Sequence, residues 1–280
     1  MQRRYSLAHL TLLSLDPPAM IQAAAQAGYD ACGLRLLPFT PGGIAYDLMG
    51  NPDRLRETLA LMHDTGVRVE DIEIIRLGAS FEVDACLPFL ETGARLGARN
   101  VLVSGEDADA ARLADSFARL CEACRPHGLS ADLEFMPWLA TNSLTAARRV
   151  VEAADQPNGG VLIDPLHFSR SASTLDDLAD LPRPMIHYAQ ICDAPAAIPA
   201  SLDELIQTSR SARLAPGEGE INLQGIFARL PQDIPISVEI PNDAQCARLG
   251  AQAWIRHCLE AARRFFSAPP GQHPAPQQRP

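Results

Sequence analysis

The 280-residue chain predicts one α/β domain, a closed (β/α)8 barrel. Three observations carry that expectation. Short apolar runs alternate with helical periodicity almost from end to end. Glycine recurs at strand entrances or helix exits, at Gly28, Gly66, Gly97, Gly128 and Gly160. Eight strand–helix units also fill the length that one such barrel needs. A doubly wound open sheet is the competitor, but no G-x-G-x-x-G follows the first strand.

Strand Tyr5–Leu12 leads into Asp16-Pro17-Pro18, an acidic cap with proline in the first turn, and then helix Ala19–Ala27. Asp30–Leu37 is the second strand, and Asn51-Pro52 opens a helix ending at Gly66. Strand Val67–Arg76, helix Phe81–Leu96 and strand Asn100–Ser104 follow, then a long helix from Asp109 to Pro126. Next come strand Ser130–Phe135, helix Leu144–Ala154, strand Gly160–Ile163, helix Leu175–Leu181 and strand Met185–Ile191. Short helices at Leu202–Thr208 and Leu223–Leu230 precede strand Ile236–Ile240 and a last helix, Ala247–Phe266. The barrel thus spans residues 1–266. The Pro- and Gln-rich tail from Ser267 to Pro280 has nothing to bury and is expected to be disordered.

Composition narrows the function. With 47% apolar and 21% charged residues the chain reads as a soluble globular protein, neither disordered nor a disulfide scaffold. A net charge of -10 argues against a nucleic-acid partner, which needs a concentrated positive surface. No apolar run is long enough to span a bilayer, and the first residues do not read as a leader, so a cytoplasmic location is expected. All 24 basic residues are arginine, which excludes Schiff-base, pyridoxal-phosphate and Walker-loop chemistry, each of which needs lysine. The seven cysteines are odd in number and scattered, as free thiols are; Cys121 and Cys124 read as two residues of one helix, not as a metal site.

The chemistry is expected at the C-terminal ends of the strands. Alternation places Glu134 of LEFM, Asp164 of VLIDP, Gln190 of HYAQI and Glu239 of SVEIP in the barrel mouth, with their apolar neighbours toward the helices. Three carboxylates in one mouth repel one another and cannot all stay ionised without a cation. A divalent metal resolves the conflict, and oxygen donors favour Mn2+ or Mg2+, with Co2+ or Zn2+ also able to bind.

That ordered set, with Asp164-Pro-Leu-His167, Gln190-Ile-Cys-Asp193 and Arg213-Leu-Ala-Pro-Gly-Glu-Gly219, resembles the xylose-isomerase-like sugar phosphate isomerase/epimerase superfamily. The resemblance covers roughly Tyr5 to Phe266. It implies that Glu134, Asp164, Gln190 and Glu239 hold the metal. It also implies that His167 meets substrate or metal-bound water and that Arg213 binds a negatively charged substrate oxygen. Glutamine at 190, where the isomerases and epimerases usually carry histidine, looks like the 3-dehydroshikimate dehydratase branch. Both branches begin by removing a proton next to a polarised carbonyl. The leading expectation is a metal-dependent isomerase or epimerase of a small polyhydroxylated carbonyl compound, and the alternative is the dehydratase-like lyase. Glu134 and Glu239 are then ligands that can double as bases, with His167 the most mobile acid/base. A DNA endonuclease on this barrel would need more histidines and a basic face, and a decayed, binding-only barrel would have lost ligands.

Further residues carry weaker expectations. Arg35 either holds a substrate carboxylate or phosphate or pairs with a neighbouring acid. Trp138 and Phe168 are placed to wall the pocket. His9 reads as a satisfied core histidine, His187 as packed against a helix, Asp132 as orienting Gln190 or an arginine, and Asp193 as a cap. Barrels of this kind often pair, so a homodimer is compatible with the resemblance.

Overall fold

Eight parallel strands form one sheet in a computed structural model that describes residues 3–268. The strands are β1 (Tyr5–Leu7), β2 (Ala31–Arg35), β3 (Arg68–Leu77), β4 (Asn100–Gly105), β5 (Ser130–Glu134), β6 (Gly159–Leu162), β7 (Ala189–Ile191) and β8 (Ile236–Val238). They pair in the order β6-β5-β4-β3-β2-β1-β8-β7. The two outer strands meet through a bridge between Ile163 and Ala189, where the Gln190 N–H donates to the Ile163 carbonyl at 3.0 Å. The result is a nearly closed (β/α)8 barrel.

Helices α1 (Pro17–Ala27), α2 (Pro52–Thr65), α3 (Leu87–Arg95), α4 (Ala110–Cys124) and α5 (Leu144–Ala154) wrap the first six strands. Behind them come α6 (Pro165–Ser169), α7 (Leu175–Ala179), α8 (Leu202–Ser211), α9 (Leu223–Phe227), α10 (Asp243–Leu249) and α11 (Ala251–Ser267). Local chemistry sets their ends. The Asp16 carboxylate accepts from the Ala19 N–H, prolines fill the first turn, and Gly28 closes α1 in the left-handed region at φ 88°. The main core lies between sheet and helices, where Leu34, Ile72, Val101, Leu133 and Val161 meet Phe89 of α3 and Phe117 of α4. A smaller apolar cluster of Ile74, Leu102, Met136, Leu162 and Tyr188 fills part of the barrel interior.

Several boundaries differ from the sequence reading. The first strand ends at Leu7, and His9–Leu12 forms a 3-10 turn. The buried His9 ring bonds the Leu15 carbonyl at 2.8 Å and accepts the Arg35 N–H at 2.7 Å, which carries the chain across the mouth. Proline at 182 and 184 keeps Met185–Tyr188 from pairing, so β7 is short. Pro88 divides the third helical segment into a 3-10 turn, Val83–Cys86, and α3. Gly250, at φ 82° and ψ 148°, separates α10 from α11. Helix α6 was not foreseen, although Asp164-Pro165 is a cap followed by a proline start. Ser267 still belongs to α11, and the rest of the expected tail, from residue 269, lies outside the described residues.

His187 does not pack on a helix. Its Nδ1 bonds Asp132 Oδ1 at 2.7 Å near the N-terminal end of the barrel, and Asp132 also accepts from the Ser130 hydroxyl at 2.8 Å. Asp132 therefore serves this pair and not Gln190. Gly160 makes the approach feasible, because a Cβ there would lie 2.6 Å from His187 Nδ1 and 2.7 Å from Asp132 Oδ1. Neither atom can yield without breaking the pair. Gly160→Ala should destabilise the fold by about 2 kcal/mol, read as a lower urea midpoint; an unchanged midpoint would show that the pair is loosely held.

Candidate metal centre

Four strand ends converge at the C-terminal mouth. Glu134 closes β5, Asp164 caps α6 just beyond β6, Gln190 lies within β7, and Glu239 follows β8. None is more than 3% exposed, so water does not screen their charges. The Gln190 amide donates through Nε2 to Glu239 Oε1 at 3.0 Å. Its Oε1 has no partner, nor has Glu134 Oε1 or His167 Nδ1. The Nε2 of His167 stands 3.9 Å from both Glu134 Oε1 and Asp164 Oδ2. One donor atom from each of these three residues lies within 4.8 Å of the others. Carboxylate and imidazole donors grouped in this way, with the unpartnered oxygens of Glu134 and Gln190 among them, fit a divalent cation.

Arg213 is the local counter-charge. Its Nη1 donates to Asp164 Oδ2 at 2.5 Å, its Nη2 lies 2.8 Å from Glu239 Oε2, and its Nε donates to the Ser209 carbonyl at 2.8 Å. Its polar atoms thus face these acids and the helix end, whereas the resemblance assigned it to a substrate oxygen. The Asn242 amide holds the Arg213 carbonyl at 2.8 Å. Asp193 accepts from the backbone N–H groups of Ala194, Gly217, Gly219 and Ile221, which pins the Pro-Gly-Glu-Gly loop next to it.

One guanidinium cannot neutralise three carboxylates. Burial opposes ionisation of Asp164, yet Arg213, His167 and the Leu166 N–H hold it below the usual carboxylate range. Burial, reinforced by Glu239 and Asp164, lifts Glu134 well above that range. Glu239 is raised to about 7, chiefly by burial and against the pull of Arg213. His167 is lowered to about 4 by burial, with Asp164 opposing, so its imidazole is neutral near pH 7. A bound dication favours the ionised form of both glutamates.

The cavity above these groups has a volume of 200 Å³ and is lined by Glu134, His167, Arg213 and Glu239. Trp138 also lines it, with its ring edge-on to His167 at 5.1 Å. Arg35 lines it while donating to Glu73 Oε2 at 2.8 Å, so the neighbouring acid is present. Phe168 sits in the main core and does not wall the cavity. Glu73, Ser209 and Arg210 line it and were missed. Alternation could not place Glu73, because the register of β3 shifts between Ile72 and Ile75. Arg210 and Ser209 lie on the last turns of α8, and only their spacing from Arg213 hints at a shared face.

Residues 21–264 match the family described as Xylose isomerase-like TIM barrel. The chain belongs to that family. Among curated members, a 3-dehydroshikimate dehydratase of Pseudomonas aeruginosa is 30% identical over 250 residues, 82% of this chain and 37% of that protein. The chain thus spans under two-fifths of that relative's length. An inosose isomerase of Halalkalibacterium halodurans is 30% identical over 121 residues, 41% of this chain and 40% of its own. Among solved structures, the IOLI protein with a bound zinc atom superposes with a TM-score of 0.78 at 17% identity, covering 94% of this chain and 98% of that one. That likeness concerns the fold. No helix among the described residues of this xylose isomerase-like barrel is long and apolar enough to cross a membrane.

Two outcomes test the electrostatic account. Because Glu239 in the fold binds its proton up to about pH 7, the metal-free protein should lose stability as pH rises from the ordinary glutamate range through that value. Thermal melts at pH 5 and pH 8 should show the loss, and saturating Mn2+ should recover it at pH 8; a melting temperature indifferent to both would contradict the account. Arg213→Met leaves Asp164 buried without its cation and should cost roughly 3–5 kcal/mol in the metal-free protein, read by chemical denaturation.

Proposed function

We propose that this barrel removes water from a small hydroxylated carbonyl acid, the reaction of a 3-dehydroshikimate dehydratase. The observation that carries the reading is the shell Glu134, Asp164, Gln190 and Glu239, in which an amide stands among three carboxylates and is tied to Glu239 at 3.0 Å. The 30% identity to a dehydratase over four-fifths of the chain supports it. So does the cavity of 200 Å³, which suits a compact metabolite and not a polymer.

Glu134, Asp164, Gln190 and Glu239 are the residues that would hold the cation. When bound, it supplies positive charge beside the carbonyl on which negative charge develops. The protein groups do the rest. His167, neutral and with an unpartnered Nδ1, takes the proton from the carbon next to the carbonyl. The electron pair left behind forms a carbon–carbon double bond as the β-hydroxyl departs, and the proton on His167 goes to that leaving oxygen, giving water. Asp164 and Glu134, each 3.9 Å from the ring, favour the transient imidazolium. Arg210 lines the cavity with no hydrogen-bonded or ion-paired acid among the described residues, and with Arg35 it offers a cationic wall for the substrate's carboxylate. Trp138 restricts the motion of His167 and helps to exclude water.

An isomerase or epimerase uses the same first step and returns the proton to a different carbon. The match to an inosose isomerase over 121 residues favours this second reading. With Mn2+ or Mg2+ present, 3-dehydroshikimate should yield an absorbing conjugated acid, whereas interconversion of ketoses or their phosphates seen by NMR would select the isomerase. Glu239→Gln should abolish turnover and weaken metal binding; retained activity would remove Glu239 from the site. His167→Asn should lower kcat by roughly 10²–10⁴-fold in protein saturated with the metal.

A further inference from the structure

We infer that the opposite, N-terminal mouth of the barrel is a second binding site, for a small oxyanion carrying two or more negative charges. A cavity of 560 Å³ opens there. The segments that enter β1, β4, β5 and β7 bring Arg4, Arg99, Arg125 and Arg183 to its walls. Only two carboxylates, Glu70 and Asp233, share those walls, although the chain as a whole carries a net charge of -10.

The arginines are not matched as structural ion pairs would be. Arg183 grips Asp233 with bonds of 3.0 and 3.1 Å, and Arg4 lies 3.7 Å from Glu70. Arg99 and Arg125 bond through their backbones, but their guanidinium groups make no hydrogen bond or ion pair among the described residues, and Arg99 acts on Glu70 only through its field. At this end of such a barrel, polar residues ordinarily serve stability. Two guanidiniums on one concavity that no hydrogen bond or ion pair holds repel each other, and an anion between them relieves that repulsion.

Part of the wall is polar and braced. His187 lines the cavity with its ring fixed on the fully buried Asp132 at 2.7 Å, a contact that Gly160 admits by lacking a side chain. Ser130 and Asn100 add side-chain polar atoms. Guanidinium forks bind phosphate and carboxylate oxygens alike, so the shared chemistry is a compact polyanion.

Calorimetric titration of the metal-loaded protein at low ionic strength, with inorganic phosphate and separately with tricarballylate, tests the site. One-to-one binding is expected with at least one of them, weakening as NaCl is added. In Arg99→Ala/Arg125→Ala the affinity should fall about tenfold or more, with a nearly unchanged melting temperature because neither guanidinium has a hydrogen bond or ion pair to lose. In Arg210→Ala, at the other mouth, it should hold. Binding of phosphate alone identifies a phosphoryl ligand, and binding of tricarballylate alone a polycarboxylate. Absence of heat with both probes, binding that survives the double substitution, or binding lost only in Arg210→Ala would overturn the inference.

Discussion

Burial of like charge governs this molecule. Glu134, Asp164 and Glu239 share one mouth with no more than 3% exposure, and Arg213 is the cation bonded to the last two. The guanidinium settles on Asp164 and Glu239, so Asp164 stays ionised while Glu134 and Glu239 hold their protons to higher pH. Replacing such a set by apolar residues of similar volume would often stabilise a protein. Its presence at a strand-end mouth fits a functional role, and the unpartnered oxygens of Glu134 and Gln190 fit a dication.

The scaffold keeps that arrangement in place from behind. Asp164 is held both by Arg213 and by the Leu166 N–H at 2.7 Å, so α6 begins at the barrel mouth. Asp193 ties three backbone N–H groups of the loop after α8 and that of its own neighbour Ala194, and Asn242 secures the Arg213 carbonyl. His167, one turn into α6, inherits its position from the same cap. The positioning is therefore a property of loops braced by buried side chains, which is how a fold shared by many enzymes acquires one chemistry.

Stability and chemistry occupy different layers. Most apolar residues pack outside the sheet, against the helices, and only five buried apolar residues form the cluster within the barrel. The interior holds buried polar groups instead, and Asp71 Oδ1, Glu73 Oε1 and the Tyr188 hydroxyl lack partners there. An outer core of this extent tolerates such an interior, since each unsatisfied group costs on the order of 1–3 kcal/mol.

Period-two alternation and helix punctuation read from the sequence alone identified the eight strands, most helices, and Glu134, Asp164, Gln190 and Glu239 as residues facing one mouth. These are local properties, set by where apolar side chains recur and where Gly or Pro interrupts. Tertiary structure decided what depends on contacts between distant residues. The β3 register shift turned Glu73 into the cavity, where it takes Arg35; Gly160 let His187 reach Asp132; and α8 brought Arg210 beside a site built from other strands. It also decided that Arg213 places its guanidinium on two acids, because those acids lie 49 and 26 residues away along the chain, which no local pattern encodes.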